Sequence, residues 1–156
     1  MKKETIEITV FCADSPSELP ATDATLLQMA TRAMQQAYAP YSHFRVGAAV
    51  LLENGEIVCG SNQENVAYPS GLCAERVALF YANAQFPNVP VRAIAINAGT
   101  DGHESIEPVY PCGSCRQVLL ECEMRSGNPI RIIMGSTRKI QVVDCVGDLL
   151  PLSFTG

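Results

Sequence analysis

Apolar residues recur every three to four positions in three stretches of the chain, and in runs or strict alternation elsewhere. Between 22 and 38, Leu26, Leu27, Ala30, Ala33, Met34 and Ala37 fall on one helical face, with Thr22 or Asp23 to cap the start and Pro40 to end it. Val77, Ala78 and Tyr81 predict a second helix that begins at Cys73 and stops before Pro87 and Pro90. Val118, Leu119 and Cys122 predict a third, entered through Pro111, whose missing N–H would be unpaired at a helix start anyway, and left at Ser126-Gly127. Segments 46–52 and 56–59 flank Asn54-Gly55, residues that tolerate positive φ, and predict a hairpin. Segments 91–98, 130–134 and 140–146 read as buried strands, 148–150 as one helical turn, and 60–71 and 99–111 as loops without period. Residues 5–10 alternate and predict a short edge strand within an extension spanning 1–20. The order predicts an α/β fold: one domain over 21–156, three-layer α/β/α with a mixed five-stranded sheet. Helices crossing between parallel strands bring the second and third helix starts to the carboxyl edge of the sheet, where such sheets bind ligands.

Composition narrows the classes. The chain has 156 residues, 47% apolar and only 17% charged, so it can bury a substantial core, and its shortage of surface charge points to burial between subunits. Net charge is −5, with no basic run beyond Arg138-Lys139 after the amino terminus. Binding to nucleic acid rests on phosphate neutralisation, so a small neutral substrate fits better than a polymer. No apolar run reaches the roughly 18 residues of a membrane span. Lys2-Lys3 begins like a signal sequence, but Glu4 and Glu7 interrupt the apolar core that should follow, so a cytoplasmic location is expected. Seven cysteines in a reducing compartment read as metal ligands or buried thiols. Cys12, Cys59, Cys122 and Cys145 sit in apolar surroundings and are expected in the core.

The other three carry chemistry. Cys73-Ala74-Glu75 opens the second helix, and Pro111-Cys112-Gly113-Ser114-Cys115 opens the third. Cys112 and Cys115 are i, i+3 neighbours, so their sulfurs point to one side. Two helix dipoles facing one point lower the thiol pKa values. Three thiolates suit a tetrahedral zinc and leave its fourth position open, the mark of a catalytic metal. Glu75, two residues past the first thiol, is placed to move a proton there. Arg76 and Arg116 follow directly and can offset the net −1 formal charge of zinc with three thiolates. A CxxC pair alone is weak: it also fits half of a structural zinc site, or a redox pair that would form a disulfide.

Four blocks together resemble the small homotetrameric cytidine deaminases: Tyr41-Ser42-His43-Phe44-Arg45-Val46-Gly47-Ala48-Ala49, Asn62-Gln63-Glu64-Asn65, Cys73-Ala74-Glu75-Arg76 and Pro111-Cys112-Gly113-Ser114-Cys115-Arg116-Gln117-Val118-Leu119. The likeness covers 22–156 and leaves 1–20 outside. It implies one Zn2+ per subunit on Cys73, Cys112 and Cys115. It implies hydrolysis of free cytidine and deoxycytidine to uridine and deoxyuridine plus ammonia, in pyrimidine salvage, by zinc-activated hydroxide attack at C4 with Glu75 as proton shuttle, as zinc base deaminases do. It further implies that Asn62 and Glu64 bind the ribose, that Phe44 packs on the pyrimidine, that Tyr68, near a subunit junction, also binds substrate and that Arg76 balances the thiolates. Phe154, in a Leu149-Leu150-Pro151 tail, is implied to close over the base in a neighbour's site, giving a homotetramer with shared active sites. Gln63 and Tyr110 depart from the usual residues at their positions. His43 and His103 are expected to face solvent. The rival readings are a deaminase of a nucleoside analogue such as blasticidin S, disfavoured by Asn62, Glu64 and Arg76, and an inactive zinc-binding module, in which Glu75 would be superfluous.

Overall fold

A computed structural model of the chain describes residues 1–155; Gly156, the last residue of the expected domain, lies outside them. Seven strands form one mixed sheet: β1 (Phe11–Ala13), β2 (Phe44–Leu52), β3 (Ile57–Ser61), β4 (Val91–Thr100), β5 (His103–Glu104), β6 (Arg131–Met134) and β7 (Ile140–Val143). Their order is β1-β7-β6-β4-β2-β3, with β5 on the end of β4. Helix α1 (Ala21–Met34) covers one face; α2 (Ala74–Gln85) and α3 (Gly113–Ser126) cover the other.

The period-2 pleat divides the core in two. On β4, Ile94 and Ile96 pack with Leu79, Leu119 and Met134 beneath α2 and α3. Ala93 and Ala95 face the opposite way, against Leu26, Leu27 and Ala30 of α1. The middle of β4, residues 93–96, therefore reads as an unbroken apolar run, as expected for a strand buried on both sides.

The five expected strands are present, and two short ones are added at the margins. The edge strand is 11–13 rather than 5–10. It pairs antiparallel with β7, Phe11 opposite Val142 and Ala13 opposite Ile140, and β7 is too short to hold the alternating residues before it, which lie exposed. The expected loop after β4 instead turns at Asp101 and Gly102, both at positive φ (52° and 83°), and returns as β5. Strand β7 ends at Val143, short of 146, because the Glu123 carboxylate takes the Val146 N–H (2.9 Å) as well as that of Ile130 (2.8 Å) and draws the chain into a 3-10 turn over Val146–Asp148.

Helix α1 starts one residue before Thr22, with Pro20 in the cap position. Asp23 does not cap it; the side chain is buried and accepts from Arg131 Nε at 2.7 Å. The helix ends at Met34, not Tyr38, because Tyr38 gives its N–H to Asn62 O and takes that of Glu64. Of the four cysteines expected in the core, Cys122 is buried, Cys145 half-buried, and Cys12 and Cys59 exposed. The last two lie on the outermost strands β1 and β3, with Cys59 facing opposite to Val58 and Gly60.

What positions the site is the crossover pattern. Strands β3 and β4 run the same way on either side of β2, and β4 and β6 are parallel neighbours. Helix α2 links the first pair and α3 the second, so both helix starts meet at one edge of the sheet. Gly60 allows α2 to sit close: a Cβ there would lie 2.6 Å from Ala78 N and 2.8 Å from Ala74 O.

Candidate active site

Cys73 and Cys112 are the residues that cap α2 and α3, just outside the first turn in which they were expected; Cys115 is in the first turn of α3. Their sulfurs converge. Cys73 Sγ lies 3.8 Å from Cys112 Sγ, which lies 3.5 Å from Cys115 Sγ, and all three are within 4.8 Å of one another. Tetrahedral zinc with Zn–S bonds of about 2.3 Å sets its sulfurs about 3.8 Å apart, so the trio fits that ion with little adjustment. Among the described residues the cluster includes no fourth His, Cys, Asp or Glu, and His43 and His103 lie outside it.

The thiols do not share their protons equally. Hydrogen bonding from Cys115, aided by Arg76 and Cys112, draws the Cys73 thiol down to about 5. Its bond to Cys73 and its own burial push Cys115 up. Cys73 is thus a ready thiolate, and binding of a thiophilic cation must displace the proton held on Cys115. Arg76 Nη2 stands 3.8 Å from Cys73 Sγ, while Arg76 Nε is buried without a partner. A guanidinium left short of acceptors beside three sulfurs suits a site that becomes more negative when loaded. Arg116, considered for the same task, faces away: it donates to Pro111 O at 2.8 Å and to Leu149 O, tying the start of α3 to the carboxy-terminal turn.

Glu75 is 4% exposed, and burial pushes its carboxyl above the usual range. A carboxylic acid held up in this way suits proton transfer near neutral pH. Glu75, Cys73 and Cys112 line one end of a cavity of about 650 Å3. Phe44, Asn62, Glu64 and Tyr68 line the same cavity, so every expected substrate-binding residue except Phe154 is on its wall.

Asn62 is locked in place, taking the Val46 N–H on Oδ1 (2.8 Å) and giving Nδ2–H to Phe44 O (2.9 Å). Glu64 accepts from the Ser42 hydroxyl and from the N–H groups of Tyr41 (2.9 Å) and Ser42 (3.3 Å), which hold its carboxyl below the usual range. Sequence reasoning missed this brace, which joins residues 22 and 23 positions apart with no periodic signal. Gln63 is also on the cavity wall, with Nε2 donating to Ser61 O (3.4 Å) and Oγ (3.2 Å). Tyr68 is 77% exposed and meets Tyr41 edge-on, ring centroids 6.2 Å apart. Phe154 is 79% exposed, outside this chain's own cavity, with Gln117 Nε2 donating to its carbonyl at 3.0 Å.

Comparison with known proteins agrees with this geometry. The family model for the cytidine and deoxycytidylate deaminase zinc-binding region matches residues 20–127. A cytidine deaminase from Halalkalibacterium halodurans is 40% identical over 131 residues, 83% of this chain and 92% of that protein. One from Mycobacterium tuberculosis is 40% identical over 140 residues, 87% of this chain and 92% of its own. The crystal structure of cytidine deaminase from Burkholderia pseudomallei superposes with a TM-score of 0.69 at 36% identity, covering 83% of this chain and 97% of that one. Four sequence blocks, a thiol trio at two helix starts and these matches along most of the chain have one common source: it belongs to the zinc-binding cytidine and deoxycytidylate deaminase family.

Proposed function

We propose that this protein is a zinc-dependent hydrolase that converts free cytidine and deoxycytidine to uridine and deoxyuridine, releasing ammonia. The observation that carries it is the junction of three converging sulfurs with a buried carboxyl on the wall of a nucleoside-sized cavity. Zinc on Cys73, Cys112 and Cys115 would supply Lewis acidity that brings the pKa of water at its open position toward about 7. Glu75 accepts a proton from the attacking water and delivers it to N3, then takes the remaining proton of the new C4 hydroxyl and passes it to the departing amine, so two protons are taken and two given. Phe44 packs on the pyrimidine. Asn62 and Glu64 take the sugar hydroxyls through the hydrogen-bonding capacity left beyond their braces. Arg76 offsets the thiolate charge.

The domain assigned to this work is 21–156, with 1–20 as an extension. A homotetramer in the cytoplasm, with Phe154 from one subunit closing the site of the next, accounts for the exposure of Phe154 and Tyr68. No helix among the described residues is long and apolar enough to cross a membrane. The test is to load the purified chain with zinc and follow the loss of cytidine absorbance. Turnover of cytidine and deoxycytidine is expected; a zinc-loaded, folded protein inert toward both would overturn the proposal.

A further inference from the structure

Tyr110 departs from the pattern that carries the family likeness, and its side chain does something specific. It lines the cavity beside Cys112. Its hydroxyl donates to Gln141 Oε1 at 2.6 Å, while Gln141 Nε2 donates to Cys12 Sγ at 3.7 Å. Cys12 and Gln141 are opposite partners in the β1–β7 ladder. The rim of the cavity is thereby joined, through one amide, to a strand contributed by residues that precede the family match at 20.

The rest of the segment before Cys112 is moored to the same region. Thr137 N–H donates to Ser105 O at 3.0 Å, and Glu107 pairs with Arg138 and Lys139 at 3.0 and 3.1 Å. These ties hold 105–107 to the turn before β7. Nearer the cavity, Arg116 Nε donates to Pro111 O at 2.8 Å, and the Tyr110–Gln141 bond fixes the Tyr110 side chain itself, with β1 paired alongside Gln141. A phenol tethered through its hydroxyl sets where its ring stands; released, it can swing into or out of the opening.

We propose that Tyr110 is a positioning residue for nucleoside binding, and that β1, acting through Cys12 and Gln141, sets its place on the rim. This rests on the activity proposed above. Loss of one neutral hydrogen bond of this kind predicts a roughly 2- to 10-fold rise in KM. Glu75 and the thiols are untouched, so kcat should stay within about twofold.

The experiment compares Tyr110→Phe, Gln141→Ala, the double variant and Cys12→Ala in the zinc-loaded full chain, with cytidine as substrate. Tyr110→Phe and Gln141→Ala should each raise KM, and the double variant should be no worse than the poorer single one, because both cut the same link. Cys12→Ala should raise KM less, and Cys12→Ser, which keeps an acceptor, should restore it. Amide hydrogen exchange over 105–111, which needs no turnover, should quicken in Gln141→Ala. An unchanged KM in Tyr110→Phe, additive effects in the double variant, or unaltered exchange would each overturn the proposal. Inactivity of the parent chain would instead sink the assigned reaction, so the two failures are distinguishable.

Discussion

Glu64 and Glu75 show how two carboxyls in one cavity are driven apart. Glu75 loses solvent on entering the protein and is pushed up; Glu64 is only half-buried, gains a hydroxyl and two N–H donors and is pulled down. A carboxyl whose folded value is depressed adds stability above its unfolded value, about 4.3, and that stability is lost as pH falls through the folded value. Glu64→Gln should therefore lower the melting temperature at pH 7, and the gap to the parent should close below pH 4. A gap that is constant with pH would mean that the Ser42 and Tyr41 contacts do not favour the ionised form. Glu75→Gln should keep one zinc per chain and cut kcat by at least about 100-fold, the usual worth of a general acid/base. Metal analysis and steady-state rates on one preparation check both halves. The convergence of the thiols and the place of Glu75 beside them were legible in the sequence because both lie at helix starts with short, fixed spacing. The Ser42–Glu64 brace and the Tyr110–Gln141–Cys12 chain were not, because each joins residues that only folding brings together.

Helices α2 and α3 act as a pair of brackets whose starts carry the three clustered cysteines, so their seating matters more than their length. Gly60 fixes the seat of α2. Gly60→Ala would force a methyl group against helix backbone, which has no rotamer through which to yield. The variant should lose about 1–3 kcal/mol of stability and bind zinc less tightly, read by thermal melts and by competition with a chelator. Unchanged metal affinity would separate helix seating from the site. The long apolar runs announced these elements well before any contact was known. Their margins were less legible, and for identifiable reasons. Tyr38 leaves the helical pattern to pair with 62–64. Alternation over 5–10 has no partner strand to use it. Asp101-Gly102 is itself a hairpin signal, and a search for periodicity alone passes over it. Cys12 and Cys59 have core-like neighbours in sequence but sit on the two outermost strands.

The assembled enzyme should be larger than one chain. Few charged residues, an exposed Tyr41–Tyr68 pair beside the cavity and a projecting Phe154 all fit subunits that complete one another. Light scattering should give four chains per particle. Phe154→Ala should raise KM while leaving the fold intact. Mixing Phe154→Ala subunits with Glu75→Gln subunits should then recover part of the lost activity, because some sites pair a native Glu75 with a neighbour's native Phe154. No recovery on mixing, with exchange of subunits verified, would place each site within one chain. Beneath all of this lies the proposal that the sulfur trio holds zinc with a fourth position left open. X-ray absorption at the zinc edge on the freshly isolated protein tests it most directly. Three sulfurs at about 2.3 Å and one oxygen or nitrogen at about 2.0 Å, at one zinc per chain, is the expected spectrum. Four sulfurs, fewer than three, or no zinc at all would contradict it.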